Sequence, residues 1–114
     1  MKVLLDHNVP VQLSRLLTGH EVLTTREMLW DLLENGDLLK AAEEEGFSVM
    51  VSCDQSIFYQ QNNDIRRIDL VVLSTNDWPS IAQSVEAVRI ALASALPRGF
   101  EFVPIPIDRG PSRR

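Results

Sequence analysis

Val3, Leu4 and Leu5 form a continuous apolar run that stops at Asp6. Such a run is too short for a helix and shows no alternation. It reads as a strand buried on both faces, the kind that fills parallel sheets. Asn8 and Pro10 follow at once, a capping residue and a first-turn proline. The acid therefore stands between a strand end and a helix start. In open α/β sheets, ligands bind outside the carboxyl ends of the strands. A lone Asp at such a place would be read first as a cap, so the weight falls on whether acids recur in equivalent places.

The rest of the chain repeats the pattern. Val9, Leu13, Leu16 and Leu17 share one helix face, and Gly19 supplies its stop. Residues 20–25 read as a second strand, with His20 on the surface. Residues 26–33 are helical in composition but hold five large apolar residues, Met28, Leu29, Trp30, Leu32 and Leu33. That exceeds one narrow stripe and predicts either deep burial or a contact surface. Asn35-Gly36 breaks the segment, and Asp37 opens a helix closed by Gly46. Residues 47–52 are a third strand, followed by Cys53-Asp54. Residues 69–73 are a fourth, almost wholly apolar strand, hence central, followed by a loop containing Ser74, Thr75 and Asp77. Ile81, Val85, Val88, Leu92 and Leu96 predict one long helix over 80–96. Residues 100–107, interrupted by proline, form a last strand at an edge. Strands alternating with helices argue a three-layer α/β/α sandwich with a mainly parallel central sheet.

Composition narrows the function classes. A chain of 114 residues makes one domain, here residues 1–107, with 108–114 a basic, disordered tail. One cysteine forbids an internal disulfide, and no stretch approaches the ~20 apolar residues of a membrane span. Residues 1–10 lack the pattern of a secretory leader, so the expectation is a cytoplasmic protein away from membranes. The net charge is −5 and uneven: residues 1–54 carry ten acids against four bases, residues 55–114 six against seven. An acidic chain is a poor general nucleic-acid binder unless a metal cancels charge locally.

Asp6 and Asp54 follow strands one and three and should share one rim. Asp77 follows strand four and is a further candidate. Several converging carboxylates need a compensating cation, and an oxygen-rich site suits Mg²⁺ or Mn²⁺. Such ions activate water for phosphodiester displacement. Glycosidase chemistry also pairs carboxylates, but it wants aromatic walls and the chain has only seven aromatic residues.

The stretches Leu4 to Pro10 (LLDHNVP), Gly19 to Trp30 (GHEVLTTREMLW), Asn35 to Phe47 (NGDLLKAAEEEGF), Val51 to Asn62 (VSCDQSIFYQQN) and Val71 to Trp78 (VVLSTNDW) occur in an order that resembles the PIN-like domain family, small bacterial proteins related to toxin ribonucleases. The resemblance covers most of residues 3–96. It implies a PIN-like parallel sheet and an acidic metal site in which Asp6, Asp37 and Asp54 are catalytic and, with Asp77, bind Mg²⁺ or Mn²⁺. It further implies an endoribonuclease acting on RNA, the toxin of a toxin–antitoxin pair whose small antitoxin blocks the site. His7, Asn8, Gln61, Asn62 and Arg66 are the residues placed to meet substrate. The chain departs from the family where His7 replaces a Glu and where Ser56 replaces an acid two residues after Asp54.

Two rival readings stand beside this one. In a catalytically degenerate binding module, the residue 28–33 surface would meet a partner or make a homodimer. A phospho-receiver would use Asp54 as acceptor, with Ser74 or Thr75 after strand four. It also wants an acid pair after strand one and a Lys after strand five, and the chain has neither.

Overall fold

The computed structural model describes residues 1–56 and 67–108. Gln61, Asn62, Arg66 and the basic tail beyond Asp108 lie outside the described residues. Five strands form one all-parallel sheet: β1 (Lys2–Leu5), β2 (Glu21–Thr24), β3 (Val49–Ser52), β4 (Asp69–Leu73) and β5 (Phe100–Val103), in the order β2-β1-β3-β4-β5. The expected parallel sandwich is observed. The two apolar runs expected at the centre, β1 and β4, are both interior, and β3 lies between them. β5 takes the expected edge, and it ends at Val103, so Pro104 and Pro106 fall outside the strand.

Strand residues divide between two cores. Val3, Leu5, Val49, Val51, Val71 and Leu73 face one side, with Leu13, Leu17, Ile81, Val88 and Leu92 packed on them. Leu4, Met50, Leu70 and Val72 face the other, against Leu38, Leu39, Ala42 and Phe47. Burial on both faces explains why these strands are apolar without alternation.

Three α-helices occur among the described residues: α1 (Asn35–Glu44), α2 (Trp78–Gln83) and α3 (Val85–Ala93). α1 runs against the strand direction. Near its C-terminal end, Glu43 Oε1 accepts the Arg67 N–H just before β4, and Lys2 Nζ donates to Glu45 O at 2.8 Å. Its first turn, with Asp37, therefore starts at the rim where the strands end. Gly46 follows at φ +86°, a left-handed turn that ends the helix.

Three expectations need correction. The segment after β1 is a short 3₁₀ turn, Val11–Arg15, not an α-helix, and Asn8 does not cap it. Residues 26–33 are a run of turns rather than a helix. Thr24 and Glu27 do form a reciprocal capping box: Glu27 N–H donates to Thr24 Oγ1 at 3.1 Å and Thr24 N–H to Glu27 Oε1 at 2.9 Å. Leu29 then turns left-handed at φ +63°, and Trp30 N–H returns to Thr25 O at 2.8 Å. Lastly, the long helix over 80–96 is two helices, broken at Ser84 (φ −117°, ψ 20°). His20 is half-buried, and its Nδ1 has no partner among the described residues.

Candidate functional site at the carboxyl rim

The strand order sets where a site can form. β1 is followed by a crossover to β2 on one side and its other neighbour is β3, so the topological direction reverses between β1 and β3. Loops diverge at such a switch point and leave a crevice at the strand carboxyl ends. Asp6-His7-Asn8 leaves β1 there, and Ser52-Cys53-Asp54 leaves β3.

These residues form one hydrogen-bonded network. Asp6 is 2% exposed. Its Oδ2 accepts the Ser52 hydroxyl at 2.8 Å, and its Oδ1 accepts the His7 N–H at 2.8 Å and lies 2.9 Å from His7 Nδ1. Ser52 Oγ in turn accepts the Asp54 N–H at 3.0 Å, so one buried hydroxyl joins the two acidic segments. Asn8 bridges the same gap: its Oδ1 accepts the Cys53 N–H at 3.0 Å, and its Nδ2 donates to Ser52 Oγ at 3.5 Å. Asp54 is half-buried, and its Oδ1 accepts the Ser56 N–H at 3.0 Å and the Ser56 hydroxyl at 2.7 Å. His7 is mostly exposed, its side chain 62% accessible.

Cys53 lies within this network with its backbone N–H donated to Asn8. Burial, and secondarily the negative charge of Asp6, push its thiol up to about 11. The thiol holds its proton at neutral pH and points to Thr75 O at 3.3 Å.

The other expected acids stand apart. Asp37 reaches the correct rim, exposed on the first turn of α1. Asp77 is an N-cap: its Oδ2 accepts Ser80 N–H at 3.2 Å and the Ser80 hydroxyl at 2.6 Å. Among the described residues no three of His, Cys, Asp and Glu come together to hold a metal. The acids that leave β1 and β3 are Asp6 and Asp54, and Ser52 joins their two segments. Of the roughly four lone-pair positions on a carboxylate, Asp6 has three facing hydrogen-bond partners. Two carboxylates fit Mg²⁺, which keeps several waters and takes one or two carboxylates plus a substrate phosphate, better than an ion that needs a protein cage.

Beside Asp6 the rim opens into a cleft of about 180 Å³ that also reaches Thr25, Arg26 and Asp31. Sequence reasoning missed this cleft. Thr25 follows β2 where Asp6 follows β1, which is a legible signal, but Asp31 was hidden in a segment that reads as helix. A larger cavity of about 590 Å³ lies at the opposite rim, between Met1, Ser48, Arg67 and Arg98, away from the acids. No family model, curated protein or solved structure matches the chain.

Proposed function

We propose that this chain is a metal-dependent endoribonuclease of PIN-like type, acting at the β1–β3 rim. The observation that carries the reading is the Ser52 hydroxyl, which ties Asp6 at the end of β1 to the backbone of Asp54 after β3. A buried acid held by a buried hydroxyl at a switch point is preorganised to meet a charged ligand. Asp6 and Asp54 would hold Mg²⁺ or Mn²⁺, which when bound supplies charge neutralisation at phosphate and an activated water. His7 would contact phosphate beside Asp6, while Asn8 braces the two loops. Asp37 stands at the same rim, where it would meet the ion's water shell or the RNA strand. In this reading the protein works in the cytoplasm, and a small antitoxin covers the rim.

The test is cleavage of labelled single-stranded RNA by the wild type, Asp6→Asn and Asp54→Asn, each with Mn²⁺ and with chelator. Metal-dependent cleavage by the wild type alone supports the reading. Cleavage that is indifferent to chelator and to both substitutions overturns it.

A second reading, a binding module, draws on Leu29 and Leu32, which are 87% and 93% exposed. Two large leucines held out in water by one loop suit a protein contact. The phospho-receiver reading has weaker support, although Asp54 follows β3 as it requires. Ser74 Oγ accepts Ile105 N–H at 2.7 Å and Thr75 Oγ1 accepts Asp77 N–H at 3.1 Å, so both hydroxyls serve their own loops.

A further inference from the structure

The cleft beside Asp6 owes its shape to the loop after β2. The capping box at Thr24 and Glu27 turns the chain off the strand, and the return of Trp30 to Thr25 O folds it back. Arg26 and Asp31 are thereby brought to one cleft, facing Val9 and Val11 from the loop after β1. Its volume of about 180 Å³ equals roughly six waters at their share of liquid volume, enough for a planar base but not a larger ligand.

Three of its polar groups are uncommitted. Among the described residues, neither the Arg26 guanidinium nor the Asp31 carboxylate has a hydrogen bond or ion pair. Thr25 is 1% exposed, and its hydroxyl has no partner. A buried hydroxyl without a partner is costly, and Thr25 lies on the wall of this cleft. Apolar walls with a few convergent polar groups are the usual make-up of a small-ligand site.

We propose that this cleft is a subsite for a guanine base, holding one guanosine of an RNA strand against the acidic rim. The inference rests on the ribonuclease reading for its placement beside the reacting phosphate. Guanine offers acceptors O6 and N7 to a guanidinium, and adjacent N1–H and N2–H donors to a carboxylate. The cleft supplies one of each, Arg26 and Asp31. Adenine and cytosine would set a ring acceptor against Asp31, and uracil has only one donor for it. Val9 and Val11 supply the apolar surface for the face of the ring.

The experiment titrates GMP, IMP, AMP, CMP and UMP into the wild type with chelator present, then repeats all five with Asp31→Asn and Arg26→Gln. Both residues are exposed, so the variants should keep the wild-type circular dichroism spectrum. GMP should bind at least tenfold more tightly than AMP, CMP or UMP, with IMP, which lacks the N2 amine, in between. Asp31→Asn should abolish the preference, because a good bidentate pair is worth tenfold or more in discrimination. Equal binding of all five nucleotides, no binding of any, or a preference that survives Asp31→Asn overturns the subsite. RNA cleavage without base preference and without GMP binding would sink the subsite and leave the nuclease standing. GMP preference without RNA cleavage would do the reverse.

Discussion

Ser52 Oγ donates to Asp6 Oδ2 at 2.8 Å across the boundary between β1 and β3, and both side chains are buried. The same oxygen accepts from the Asp54 backbone at 3.0 Å. Ser52→Ala removes a donor from a buried carboxylate and an acceptor from a loop N–H. Such a loss should cost about 1–3 kcal/mol, at roughly 4 °C of melting temperature per kcal/mol in a chain this size. Thermal melts check this, and any RNA cleavage should fall with the positioning of Asp6.

At the opposite rim, Asp69 and Glu101 lie on neighbouring strands. Burial raises the Glu101 carboxyl above its ordinary value, and the charge of Asp69 and a hydrogen bond with it add to the rise. A carboxyl raised in the folded state contributes stability that is complete below its unfolded value. That contribution is lost as pH climbs through the folded value. Glu101→Gln keeps the shape without the titration. Stability of the wild type should therefore fall relative to Glu101→Gln as pH rises from about 4 towards neutrality. Denaturant melts across that range check the sign, and parallel curves would contradict it.

Gly99 has no room for a side chain. A Cβ there would stand 2.7 Å from Asp69 Oδ1 and 2.9 Å from the backbone oxygen of Leu96. The neighbouring Leu96 N–H donates to Asp69 Oδ2 at 3.2 Å, so the carboxylate is tied to the turn it would have to leave. Gly99→Ala should destabilise by about 1–3 kcal/mol, measured by urea melts.

Leu29 and Leu32 project from the loop after β2, whereas Met28 and Trp30 pack on the core and Trp30 meets the Phe47 ring edge-on at 6.0 Å. The expected contact surface is thus half absorbed by the protein's own core. The exposed leucines should still drive self-association. Light scattering should give a dimer for the wild type and a monomer for Leu32→Lys; a monomeric wild type at high concentration would refute this.

How far the sequence carried this reading depended on which physical signal each element leaves. The strands were legible because parallel strands buried on both faces leave unbroken apolar runs, as at Val3 to Leu5 and Leu70 to Leu73. Their ends were legible too, and so was the shared rim of Asp6 and Asp54. The break at Ser84 was not, because Ile81, Val88 and Leu92 are all buried and keep helical spacing across it. The turn at Leu29 left no signal either, since nothing in a leucine announces φ +63°. Missing that turn hid the cleft, because Asp31 reaches it only when the chain doubles back. Asp77 shows the opposite failure. Its place after β4 suggested a ligand, but Ser80 three residues on gives it a cap's role.

The central claim is that Asp6 and Asp54 together hold a divalent ion. Four melting curves test it, wild type and Asp54→Asn, each with chelator and with Mn²⁺. An ion that binds only the folded state raises the melting temperature by mass action. Mn²⁺ should therefore stabilise the wild type and leave Asp54→Asn where the chelator puts it. Equal shifts in the two proteins, or none in the wild type, would contradict the claim and remove the chemistry from the nuclease reading.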